Sequence, residues 1–205
     1  MSIQFYEDNA EDFFRRSVGA DMSHGWQAFT ALVKPGGHIL DAGCGSGRDA
    51  LAFHRAGFRV TATEASANLA ALARVHTGLP IDVLIFDQMD WRETFDGVWT
   101  CASLLHVPRA NLVATMVRLR DALIPGGVWW MSFKYGAEER QASGRHFTDM
   151  DETGAEALLA AVGGVELIEM VVTDDAREDR PRGTLAERPL PKGLKPACPS
   201  GWVAH

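Results

Sequence analysis

Asp41-Ala-Gly-Cys-Gly-Ser-Gly47, entered from the apolar run His38-Ile-Leu40, decides the fold of this chain. The run reads as a buried strand, and the glycines turn it sharply into a helix that begins near Arg48. Gly43, Gly45 and Gly47 carry no Cβ, so the loop can use positive φ and lie flat against a bound molecule. Their spacing is Gly-x-Gly-x-Gly. The dinucleotide fingerprint Gly-x-Gly-x-x-Gly needs a glycine at position 48, where Arg48 stands. The acid Asp41 leads into the turn, which suits a ligand bringing an ammonium rather than a diphosphate. Ala42 and Cys44 complete the stretch expected to line that ligand.

A second β-rich run, Arg59-Val-Thr-Ala-Thr63, ends at Glu64 and Ala65. An acid about 20 residues beyond the first glycine, at the tip of the second strand, is where an α/β nucleotide fold holds a ribose. A carboxylate suits that task because it accepts two hydrogen bonds side by side. Loop and acid together predict adenosine binding.

The chain has 205 residues, of which 46% are hydrophobic and 23% charged, as in an ordinary globular domain. Its net charge of −7 argues against a nucleic-acid partner. No apolar run has the length of a membrane span, and the acidic start, Met1-Ser-Ile-Gln-Phe-Tyr-Glu-Asp8, lacks a signal-peptide core. Cys44, Cys101 and Cys198 are scattered and odd in number, so neither a disulfide framework nor a zinc site is expected. A cytoplasmic enzyme, monomeric or weakly dimeric, is the expectation.

Strands and helices alternate in the α/β manner. Residues 5–16 and 22–32 read as N-terminal helices. Strands are expected over 38–42, 59–63, 81–86, 95–102, 128–133 and 165–173, and helices over 49–56, 66–75 and 151–161. Leu112, Met116, Leu119 and Leu123 mark another helix, stopped by Pro125-Gly-Gly127. Trp129 and Trp130, within a strand, are expected in the core.

The glycine loop with its leading acid resembles motif I of the class I S-adenosylmethionine (SAM) methyltransferases. Gly45-Ser-Gly-Arg-Asp49, Ala102-Ser-Leu-Leu-His-Val-Pro108, Ser132-Phe-Lys-Tyr-Gly136 and Gly144-Arg-His-Phe-Thr-Asp149 resemble the small-molecule branch related to tellurite-resistance methyltransferases. The resemblance runs from Phe5 to about Asp175. It implies a Rossmann-like three-layer sandwich around a seven-stranded sheet, parallel except for the final strand, with SAM as cofactor and a small-molecule acceptor. Asp41 and the glycines would then face the methionine moiety and Glu64 the ribose. Asp87 and Gln88 would meet the adenine amino group, and Ser103 to His106 would border the sulfonium methyl. Phe86 would pack on the base or simply in the core. A nicotinamide-dependent oxidoreductase and a non-catalytic SAM-binding protein are the rival readings.

Methyl transfer asks the protein to hold a nucleophile in near-attack geometry and to deprotonate it where its pKa requires. His106 is the candidate base, or else caps the following helix or fills the cleft wall. Arg48, Lys134, Arg145 and His146 are expected at the same rim, where they would draw an anionic acceptor. Tyr6, Phe13, Phe14 and Met22 suggest an N-terminal lid within residues 1–35, or plain helix packing.

Five of the nine prolines fall in the last thirty residues, and after Asp175 no period survives. Gly183-Thr-Leu-Ala-Glu-Arg-Pro-Leu-Pro-Lys-Gly193 stands where the branch carries Glu-Arg-Trp-Leu-Asn-Val-Leu. Suitable codons for the former, read one base later, spell Glu-Arg-Trp-Leu-Asn-Val-Leu-Phe-Arg-Lys. We read residues 176–205 as a frameshifted, proline-rich tail after a methyltransferase domain at 1–175. The final antiparallel strand is therefore expected to be lost or altered, its neighbours left with open edges.

Overall fold

The structure, a computed structural model, describes residues 2–172 and the backbone of 201–204. Nine strands and seven α-helices lie among them. They are α1 (Ser2–Asp8), α2 (Ala10–Ser17), α3 (Ser23–Thr30), β1 (His38–Ala42), α4 (Arg48–Arg55), β2 (Arg59–Glu64), α5 (Ala67–Thr77) and β3 (Ile81–Val83). There follow β4 (Phe95–Thr100), α6 (Arg109–Ala122), β5 (Leu123–Met131), β6 (Glu139–Ala142), β7 (Arg145–Thr148), α7 (Glu152–Val162), β8 (Leu167–Val171) and β9 (Gly201–Ala204). One sheet takes seven strands in the order β3-β2-β1-β4-β5-β9-β8, and β6 and β7 pair as a separate hairpin. β3, β2, β1, β4 and β5 run parallel, while β9 runs antiparallel to both its neighbours.

Neighbouring residues of the central strands bury on opposite faces, as a pleated strand covered on both sides requires. Leu40, Val98 and Trp129 pack on the face covered by α6 and α7. Ile39, Trp99 and Trp130 pack on the other, with Phe29 of α3 and Phe53 of α4. Trp99 and Trp130 lie opposite one another in the β4–β5 register and stack at 3.8 Å with their planes 14° apart. Both tryptophans of β5 are core, as expected. Helix–sheet–helix layering thus follows from period-two burial in the strands.

Local signals account for most boundaries. Ser66 caps α5 by accepting from Leu69 N at 3.1 Å, and Gly78 closes it in the left-handed region. The expected helix over 5–16 is broken at Asn9, whose amide donates to Phe5 O at 2.9 Å and so competes with the helical pattern. The fifth strand begins earlier than expected, at Leu123, because Leu123 pairs with Phe95 before a register shift restores the ladder at Val128. Ser143 (φ 50°) and Gly144 (φ 74°) turn β6 into β7, a hairpin the sequence reading passed over.

The expectation of a lost last strand is corrected. Gly201–Ala204 fills the inner position, pairing with Trp129–Met131 on one side and with residues 167–171 on the other. The physical reason lies in β5 and β8, which would each face an open row of donors and acceptors unless a strand came between them. Trp202 and Val203 have the strand preference to supply it, free of the prolines upstream. The strand is altered in being only four residues long. Gly183 to Gly193 and the inferred frameshift lie outside the described residues.

Candidate active site

β1 and β4 are neighbours, yet their connections lead to opposite sides of the sheet, and ligands bind at such a switch point beyond the strand ends. A cavity of about 530 Å³ opens there, a size that suits a cofactor and a small partner. The glycine loop forms its floor. Gly43 N and Cys44 N donate to Thr63 O at 3.0 and 2.8 Å, and Gly45 N donates to Glu64 Oε2 at 2.9 Å. Glu64 Oε1 accepts from Ser66 N at 2.9 Å. One carboxylate at the end of β2 therefore ties the loop to the start of α5. At Gly43 (φ 82°) an added Cβ would come within 2.6 Å of Ser103 Cβ, so only glycine lets the ends of β1 and β4 close on each other. Ser103 Oγ donates to Ala42 O at 2.8 Å across that contact.

Buried acids set the electrostatics. Asp41 is 1% exposed and its Oδ2 has no hydrogen-bond partner. Burial, then the neighbouring Asp49 charge, pushes its carboxyl well above the ordinary range. Glu64 is also raised, burial outweighing the amides that bond it. Asp49 is the satisfied one. It accepts from Trp26 Nε1 and Trp99 Nε1, both at 2.9 Å, and from Arg48 Nε and Nη2 at 2.7 and 2.8 Å. An uncompensated buried carboxylate is costly. Asp41 lies beneath the glycine loop with one oxygen unpartnered, and the loop above it fits the methionine end of SAM. The Cys44 and Cys101 thiols are pushed up, Cys101 to about 12, first by burial and then by these acids, so both stay protonated.

At the other end stands His106. Its Nδ1 lies 2.7 Å from His146 O, and its Nε2 lies 2.7 Å from the Tyr6 hydroxyl. A carbonyl only accepts, so the neutral ring carries its proton on Nδ1, and Nε2 accepts from Tyr6. Burial, assisted by the charges of Arg145 and His146, brings His106 down to about 4, against the pull of the carbonyl. His106 is thus a neutral acceptor holding Tyr6.

Tyr6 belongs to α1, which spans the cavity mouth. Glu7 Oε2 accepts from Ser66 Oγ at 2.5 Å and from Asn68 N at 3.2 Å, and Ser2 Oγ accepts from His146 N at 2.9 Å. Phe13 of α2 would meet any side chain added at Gly45, at 3.3 Å. α1 and α2 therefore touch both the loop and the His106 wall. Phe14 stacks edge-on with His76 instead, and Met22 is core that also reaches the cavity.

Among the expected site residues, Gly43, Cys44, Gly45, Glu64, Ala65, Asp87 and Ser103 line the cavity. So do His106, Arg48, Lys134, Arg145 and His146, although Arg48 is spoken for by Asp49. Four lie behind it. Asp41 and Ala42 sit beneath the loop. Gly47 makes room for α5, where a Cβ would meet Thr77 Cγ2 at 2.6 Å. Gln88 turns back so that its Oε1 accepts from Ile85 N at 3.1 Å. The reading missed Asp49 as the hub of the loop and Gln141 and Phe147 of the hairpin as cavity wall. Ser143-Gly144 between two alternating runs was the signal for the hairpin. Among the described residues no group of His, Cys, Asp or Glu could hold a metal, and no helix is long and apolar enough to cross a membrane.

Comparison with known proteins agrees with this geometry. Residues 39–127 match the family described as "Methyltransferase domain". The chain is 30% identical over 176 residues to the ubiquinone biosynthesis O-methyltransferase of Sodalis glossinidius, covering 82% of this chain and 58% of that protein. It is 35% identical over 106 residues to the protein of the same name from Paramagnetospirillum magneticum, covering 48% of this chain and 42% of the relative. The chain thus spans about half the length of the curated relatives it matches. Its backbone is similar to that of the 1,6-didemethyltoxoflavin-N1-methyltransferase of Burkholderia thailandensis, solved with 1,6-didemethyltoxoflavin and S-adenosylhomocysteine. The TM-score is 0.68 at 22% identity, over 82% of this chain and 78% of that one. The sheet order, the acid-led glycine loop and the match over residues 39–127 together make this chain similar to the class I SAM-dependent methyltransferases.

Proposed function

We propose that the protein transfers the methyl group of SAM to a small-molecule acceptor that enters beside His106 and the β6–β7 hairpin. The observation that carries this reading is one continuous cavity, with the glycine loop and Glu64 at one end and His106, Arg145 and His146 at the other. SAM, when bound, supplies an electrophilic methyl on a good leaving group. The glycine loop, with Asp41 beneath it, would seat the methionine end, Glu64 would hold the ribose and Asp87 the adenine. Tyr6 and Phe13 would exclude water. Where the acceptor must lose a proton, the Tyr6 oxygen takes it as the Tyr6 proton passes to His106 Nε2.

We also propose that residues 1–175 carry the catalytic residues, with the N-terminal helices as lid and β9 completing the sheet, and that the protein works in the cytoplasm as a monomer or weak dimer. On the segments quoted above, the chain sits beside the tellurite-resistance branch. The test is conversion of SAM to S-adenosylhomocysteine with a panel of phenol, thiol, oxyanion and carboxylate acceptors. Acceptor-dependent turnover with at least one class is expected. Tight SAM binding with no turnover across the panel would overturn catalysis in favour of a binding role.

A further inference from the structure

Arg145, on the hairpin strand β7, lines the acceptor end of the cavity. Its guanidinium carbon lies 4.5 Å from the Phe5 ring centre, 5.1 Å from that of Phe147 and 6.0 Å from that of Tyr6. Its Nε is buried and has no hydrogen-bond partner. The other arginines of this region are paired: Arg48 with Asp49, and Arg140 with Asp149 at 2.6 Å. Among the described residues no carboxylate pairs with Arg145. Aromatic rings attract a cation through their faces but offer no in-plane acceptor for its N–H groups. The rings leave the buried Nε of this half-buried guanidinium without an acceptor, a cost that an anionic ligand on the guanidinium would offset.

We propose that Arg145 is the anion subsite for the acceptor, which is a small aromatic or heteroaromatic carboxylate. A carboxylate matches the planar fork of donors, giving short, paired, charge-assisted bonds that a neutral group cannot. The ring follows from the walls beside it, where Tyr6 and Phe147 both stand by Arg145 and border the same cavity. Gly144 makes the box possible, because a Cβ there would press on Phe5 Cδ2 at 3.3 Å. Arg145 is also one of the charges that lower His106, so an anion seated on it returns basicity to the imidazole next to the reacting centre.

This inference rests on the methyltransferase reading, and calorimetry separates the two. S-adenosylhomocysteine is titrated first. The loaded protein is then titrated with benzoate, 4-hydroxybenzoate, 2-naphthoate and quinoline-2-carboxylate, each beside its carboxamide, and with acetate. At least one ring carboxylate is expected to bind tenfold or more tighter than both its amide and acetate. Arg145→Gln should abolish that preference and Arg145→Lys should weaken it, with S-adenosylhomocysteine affinity, which reports folding, unchanged in both. A panel in which no ring carboxylate outbinds its amide, or a preference that survives Arg145→Gln, overturns the subsite. Failure of S-adenosylhomocysteine to bind would instead strike the cofactor reading beneath it.

Discussion

Asp41 shows how a site can be built at the expense of the fold. Its orphaned, buried oxygen raises its affinity for protons, so its contribution to stability is present at low pH and is lost as pH rises through the elevated folded value. Asp41→Asn should therefore raise the melting temperature of the ligand-free protein near pH 7–8, by about 2–4 °C for each kcal/mol gained. It should also weaken SAM binding, because the acid beneath the loop that seats the methionine end is lost. Melting curves and calorimetry check the two signs together. His106 runs the other way. Its folded value of about 4 lies below the ordinary 6.5, so its contribution is full above about pH 6.5 and is lost as pH falls toward 4. His106→Gln should shrink the stability difference between pH 7 and pH 4.5, by at most ~3 kcal/mol. An unchanged pH profile would show that the ring is not buried neutral.

Elements differ in how plainly the sequence announces them. β1, β2 and the glycine loop were legible because a continuous apolar run, a glycine triplet and an acid each restrict the backbone or the ligand on their own. α5 was legible through its Ser66 cap and Gly78 stop. β6 and β7 were not, because their alternating residues are mostly polar and only Ser143-Gly144 signals the turn. Asp49 could not be known as a hub, since its partners Trp26 and Trp99 come together only in three dimensions. β9 was misread because it is four residues long, only Trp202 and Val203 of them favour a strand, and prolines crowd the tail before it. Two element-scale tests follow. Glu7→Ala removes the latch of α1 on α5 and should weaken S-adenosylhomocysteine binding severalfold while changing the melting temperature little, as for an exposed contact. Removing residues 201–205 should lower the melting temperature and promote self-association, because β5 and β8 would then expose open edges. If the frameshift reading holds, restoring the frame near Arg182 and Gly183 should raise stability above that of this chain. Equal melting temperatures would remove that idea.

At the scale of the whole molecule, a parallel sheet places β1, β2 and β4 so that their ends meet at one cleft. α1 and the β6–β7 hairpin, in contact with one another, border that cleft. The fold decides where a ligand sits, and the acids decide which one. An acid-led Gly-x-Gly-x-Gly loop without the third fingerprint glycine should favour an ammonium-bearing adenosyl ligand over a dinucleotide. Calorimetric titration of the same preparation with S-adenosylhomocysteine and with NAD tests this most directly. The account predicts saturable one-to-one binding of S-adenosylhomocysteine and no heat from NAD. Binding of NAD with none of S-adenosylhomocysteine would contradict it.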